Sequence, residues 1–183
     1  MVNVTKWLLA SIAALAIQPV VFLIWMGLPY AFTPEDFPWS EFPSMARAVT
    51  IFASPFLLIL GIPVFLVMQR KNWLSALRIG FAGFFIGILF PLIIGWPRYS
   101  PGFSSGGYFY GPNRDFVVDG VTTIYGWLAY AQSVVIYGLH GVAGALAFYF
   151  TWKWSQGKER FPIQHEPVAP AKAGVQPSKF KLL

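Results

Sequence analysis

Gly120–Trp152 is a run of 33 residues without a formal charge, closed by Asp119 on one side and Lys153 on the other. As a continuous helix it would extend roughly 50 Å at ~1.5 Å per residue. A bilayer core needs only about 20 such residues. The run therefore predicts a membrane span with length to spare. It also contains His140, the only histidine outside the C-terminal segment, where His165 lies.

The rest of the chain extends this reading. Hydrophobic residues make up 56% and charged residues 11%. A soluble domain carries about 25% charged residues, so the bilayer has to act as solvent for most of the chain. Three more apolar runs are expected to span: residues 7–32, 49–68 and 73–96. The expected fold is an all-α bundle of four transmembrane helices, occupying residues 1–154. Pro19, Pro55, Pro63 and Pro91 lie inside the first three spans. Proline removes a backbone donor and clashes with the preceding turn, so kinks are expected there. The first run is too long for the apolar core of a signal peptide, and no small-x-small site closes it cleanly.

Three connections remain. Thr33–Ser44 carries three prolines, three acids and the aromatics Phe37, Trp39 and Phe42, and reads as a loop at headgroup level. Arg70 and Lys71 mark a tight turn. Pro97–Gly120 is rich in glycine, proline and aromatics and reads as a long irregular loop, a place for partner contacts. Residues 155–183 are rich in Pro, Ala and Lys and read as a disordered tail.

Basic residues set the expected orientation. With the N-terminus inside, ten Lys or Arg fall on the inner side and three (Arg47, Arg98, Arg114) on the outer. By the positive-inside rule both termini are cytoplasmic. The net charge of +6 follows this topology, and nucleic acid is not an expected partner.

Few residues carry chemistry. At 100° per residue, Gly126, Tyr130, Ser133, Tyr137, His140 and Gly144 fall within a sector of about 80° on the fourth span. Lipid offers hydroxyls and imidazole no partners, so this stripe should face protein. Helix–helix contact outweighs a cofactor or proton site, since small residues allow close approach and polar ones bond across the seam. The spans contain no Asp or Glu, which argues against a proton-driven pump. The chain has no cysteine, so thiolate metal sites and thiol catalysis are excluded. His140 alone cannot supply both axial ligands of a bis-histidine haem or the three protein ligands of a catalytic zinc. No metal site and no catalytic residue is assigned. Tyr130, Ser133, Tyr137, His140, Gly141 and Gly144 are expected to make interface or lipid contacts.

The segment Tyr137-Gly138-Leu139-His140-Gly141-Val142-Ala143-Gly144, followed by an apolar run and Lys153, resembles a helix of cytochrome c oxidase subunit III, which carries Gly-Leu-His-x-x-x-Gly in a membrane span. That family has seven spans, or five in shorter forms, a further histidine before the motif and a buried acid, none of which is matched here. The resemblance implies a reduced, non-catalytic accessory subunit of a respiratory complex in a bacterial inner (plasma) membrane. Other membrane subunits and lipids would be its partners, and any haem or copper would sit in those subunits. Two other classes stay open: a stand-alone immunity protein, similar in span number and size to those against pore-forming colicins, and a small channel or transporter.

Overall fold

The computed structural model describes residues 4–27, 37–110 and 112–157. Its elements run α1 (Val4–Gly27), α2 (Phe42–Phe56), a π-helical turn (Leu57–Gly61), α3 (Ile62–Arg70), α4 (Ala76–Ile93), β1 (Ser105–Tyr108), β2 (Asn113–Val118), β3 (Val121–Thr122) and α5 (Ile124–Gly157). Four helical stretches are long and apolar enough to cross a membrane: Val4–Gly27, Phe42–Arg70, Ala76–Ile93 and Ile124–Gly157. The chain is an integral membrane protein, mostly helical. The end of the first expected span, the start of the acidic loop and residues 158–183 of the expected tail lie outside the described residues.

The second span is longer than its apolar run. Its helix begins at Phe42, with proline in the first turn. Proline is well suited there, because its missing N–H would have had no helical partner. Two prolines then disturb the span. Pro55 cannot donate to the Ile51 carbonyl, and the Ser54 hydroxyl donates to that oxygen instead, at 2.8 Å. Ahead of Pro63 the helix widens: the Ile62 N–H bonds the Leu57 carbonyl, an i→i+5 bond. A wide turn of this kind draws the carbonyls away from the proline ring. Pro19 and Pro91 are carried within continuous helices.

α1 and α4 pack along α5, α2 packs on α1, and α2 and α3 reach α5 through aromatic rings. The α4–α5 seam depends on missing side chains. A Cβ on Gly83 would meet the Gly141 carbonyl oxygen, and one on Gly87 would meet the Tyr137 carbonyl oxygen. Such backbone-to-backbone approach is the usual basis of membrane helix pairing by small residues. On the α1 side, Ala10 and Ala14 are buried, and Gly144 leaves room for the Gln18 amide. The densest packing is aromatic and lies near the N-terminal end of α1. Phe65 of α3 meets Trp7 at 5.6 Å, Phe148 at 4.9 Å and Trp152 at 5.2 Å between ring centroids, all edge-on. Offset and edge geometries of this sort suit the ring quadrupoles.

At the opposite end of α5 the segment expected to be a loop carries strands instead. Residues 105–122 form a three-stranded antiparallel sheet in the order β1-β2-β3. The β2–β3 connection is Asp119–Gly120, with φ of 47° and 79°. Both residues are left-handed, the requirement of a two-residue turn whose twist matches its strands. The turn is anchored: Gly120 N–H bonds Phe103 O at 2.6 Å, and Asp119 N–H bonds Ser104 Oγ at 3.0 Å. Thr123 joins sheet to helix. Its hydroxyl donates to the Asp115 carbonyl at 2.5 Å and accepts from Gly126 N–H at 3.2 Å, capping the start of α5. The loop expected to be irregular is thus a small folded platform attached to the longest helix.

Candidate functional site

A partly open cleft of about 590 Å³ lies between α1, α2, α4 and α5. Its walls are mostly apolar. Phe52 and Phe56 come from α2, Phe90 from α4, Phe22 and Trp25 from α1, and Gly83, Gly87 and Gly141 lower the floor. Phe52 meets Phe90 at 4.8 Å and Tyr137 at 6.2 Å. Among the described residues no Asp, Glu, Lys or Arg lines the cleft.

Its polar feature is a pair from α1 and α5. His140 Nδ1 is 2.8 Å from Gln18 Oε1. The Gln18 amide nitrogen donates to Ala14 O at 3.1 Å and to His140 O at 3.3 Å. Gln18 is only 6% exposed, and a buried amide in hydrocarbon has to satisfy its groups. The network also decides a proton. Both amide hydrogens are directed at carbonyls, so the atom facing the imidazole is the acceptor Oε1. In the neutral ring Nδ1 therefore carries the proton and donates. Nε2 is left as a bare lone pair, with no hydrogen-bond partner among the described residues. Histidines that bind a group through one nitrogen are oriented this way through the other.

Both residues lie deep in their helices. Gln18 is roughly 21 Å from the start of α1 and 14 Å from its end; His140 is roughly 24 Å and 26 Å from the ends of α5. The pair is therefore near mid-membrane for helices of these lengths.

The stripe read from the sequence divides in two. Ser133, Tyr137, His140, Gly141 and Gly144 line the cleft. Ser133 turns its hydroxyl back onto Ala129 O at 2.9 Å, and Tyr137 stays part exposed beside the rings of Phe52 and Phe90. Gly126 and Tyr130 lie elsewhere. Gly126 lets α5 approach the Phe116 carbonyl of β2. Tyr130 packs against Trp96 and Trp127 at 5.8 and 6.0 Å, and its hydroxyl is buried without a hydrogen-bond partner among the described residues. Removing an unsatisfied hydroxyl removes a desolvation cost. Tyr130→Phe is expected to leave the fold unchanged or stabilise it by up to about 1 kcal/mol; an unfolding midpoint in detergent that falls would mean the hydroxyl has a partner.

Gln18 had no place among the residues expected to matter. Its signal was available: an amide in the middle of an apolar span, where a polar side chain needs a partner. Among the described residues no group of three or more His, Cys, Asp or Glu could hold a metal ion. The cleft is lined by His140, whose Nε2 has no partner among the described residues, by Tyr137 and Ser133, and by aromatic walls. Family models, characterised proteins and solved structures were all compared with the chain, and none matches.

Proposed function

We propose that this chain is a non-catalytic subunit of a larger complex in a bacterial inner membrane, of the respiratory or electron-transfer kind such as a terminal oxidase. On this reading both termini are cytoplasmic, the spans bend at their prolines, and any haem or copper belongs to neighbouring subunits. What supports it most is the folded platform at residues 105–122. A three-stranded sheet attached to α5 presents Tyr108 outward, 84% exposed, and Tyr99, in the segment leading into it, is 70% exposed. Tyrosine on a rigid, water-facing support is a typical interface residue. The likeness of Gly138-Leu139-His140-x-x-x-Gly144 to a span of cytochrome c oxidase subunit III points to the kind of complex. Two of those glycines also have local reasons, since Gly138 accommodates the Phe84 ring and Gly144 the Gln18 amide.

The test is extraction in mild detergent from the native membrane, followed by a native gel, mass spectrometry and a visible spectrum of the band. A large coloured band with stoichiometric partners is expected, and a small colourless one would overturn the reading. Tyr99→Ala with Tyr108→Ala should release partners from that band. Stability of the chain itself should change by less than about 0.5 kcal/mol, as for exposed positions generally. A channel or transporter is the second reading, favoured by the mid-membrane cleft; ion or solute flux into proteoliposomes would establish it. The immunity reading draws on size and span number alone.

A further inference from the structure

We propose that the cleft is a binding site for a membrane hydroquinone, and that it prefers the reduced, hydroxyl-bearing form to the oxidised quinone. The proposal goes beyond the subunit reading and stands on the cleft alone, so a small colourless band on the native gel would leave it untouched.

Four observations lead to this class of ligand. The volume of about 590 Å³ falls in the range of ~300–1,000 Å³ in which proteins hold small organic molecules. Among the described residues the lining carries no charged side chain to offset a phosphate or carboxylate, and an unpaired charge in such surroundings is strongly disfavoured. The polar pair lies near mid-membrane, about 14 Å or more from the ends of its helices. A phospholipid headgroup belongs at the interface, so the polar part of the occupant has to be neutral. Finally, Phe52, Phe56, Phe90 and Tyr137 bring ring edges and faces to the same space, which suits a flat aromatic head on an apolar tail.

The tautomer supplies the preference. Gln18 holds the Nδ1 proton of His140, so Nε2 can only accept in the neutral ring. A hydroquinone O–H donates to it. A quinone carbonyl brings lone pair against lone pair, and both groups remain unsatisfied in an apolar site. Sites built to bond a hydroxyl reject analogues that lack it for this reason.

The experiment uses the full chain in phosphatidylcholine nanodiscs under anaerobic conditions. Decylhydroquinone, decylquinone and 1-decanol are titrated by calorimetry. Decylhydroquinone is expected to bind about tenfold more tightly than decylquinone, the worth of one hydrogen bond. Decanol has the hydroxyl without the ring and should bind more weakly than either. His140→Phe should bring the two ring compounds to equal affinity. Gln18→Leu should do the same with the imidazole still present, because the ring is then free to turn its other tautomer to the ligand. Ala53→Phe fills the cleft from α2 without touching the pair and should abolish binding of both. Equal affinity of the two redox forms in the unmodified chain, or no binding of either, overturns the proposal whatever the variants do. A preference that persists in Gln18→Leu overturns the role given to the tautomer. Decanol binding as tightly as the hydroquinone overturns the ring.

Discussion

Gly141→Ala is expected to destabilise the protein by about 3 kcal/mol or more, although it adds one methyl group. The position has no room on the α4 side. A Cβ there would meet the carbonyl of Gly83 and come within 3.2 Å of the Gly87 Cα. Backbone atoms cannot rotate aside as a side chain can, so α4 and α5 would have to separate along the seam. Gly83→Ala should behave alike, since its Cβ would meet the Gly141 carbonyl and lie 2.5 Å from the Ala145 Cβ. Both methyls compete for one gap. Once the helices have moved apart for the first, the second has space, and the double variant should cost less than the sum. Unfolding midpoints of the two single variants and the double variant in one detergent make the test. Single changes within about 0.5 kcal/mol of zero would show that close approach is not what holds α4 to α5.

The second large effect belongs to the turn just before the N-terminal end of α5. Gly120→Val is expected to open the sheet and leave the spans folded. Gly120 has φ of 79°, and a Cβ there would run into the Ser100 carbonyl. A left-handed conformation costs an ordinary residue about 1–2 kcal/mol and a β-branched one more, and the collision adds to this. Amide hydrogen exchange read by mass spectrometry should show protection over residues 100–123 reduced by about a hundredfold, with α4 and the body of α5 unchanged. Unchanged exchange over the sheet would mean that the turn at Asp119–Gly120 is not what closes it. Loss of protection throughout would mean that the platform and the spans fold as one unit.

The four spans were legible because runs without charge exceed what a bilayer needs, whatever the helices pack against. Their ends were not. Pro43 looked like part of a breaker, yet proline fits a first helical turn, and α2 begins there. The sheet escaped because Ser105-Gly106-Gly107-Tyr108 has little β propensity. Asp119–Gly120 between Val117-Val118 and Val121-Thr122 was the available sign of a hairpin, but the aspartate read as the edge of an apolar run. Half of the cleft was legible. A helical wheel gives the azimuth of Tyr130 and His140 but not which neighbour exists at each height. α4 ends at Ile93, so Tyr130 finds Trp96 instead of a helix seam. Gln18 could not be matched with His140 by local pattern, because 122 residues separate them.

The wide turn at Leu57–Gly61 has a consequence for bookkeeping along the second span. An i→i+5 turn takes in about one residue more than a regular one. Counted at 100° per residue, Phe56 and Phe65 are nine positions apart and would point in opposite directions. With the surplus residue discounted, the angle between them falls to roughly 80°. The same strand of helix can thus send Phe56 to the cleft and Phe65 to the aromatic core. Positions above and below the turn belong to two separate rulers. An alignment or a redesign that runs one ruler from Phe42 to Arg70 will assign every residue on one side of the turn to the wrong face.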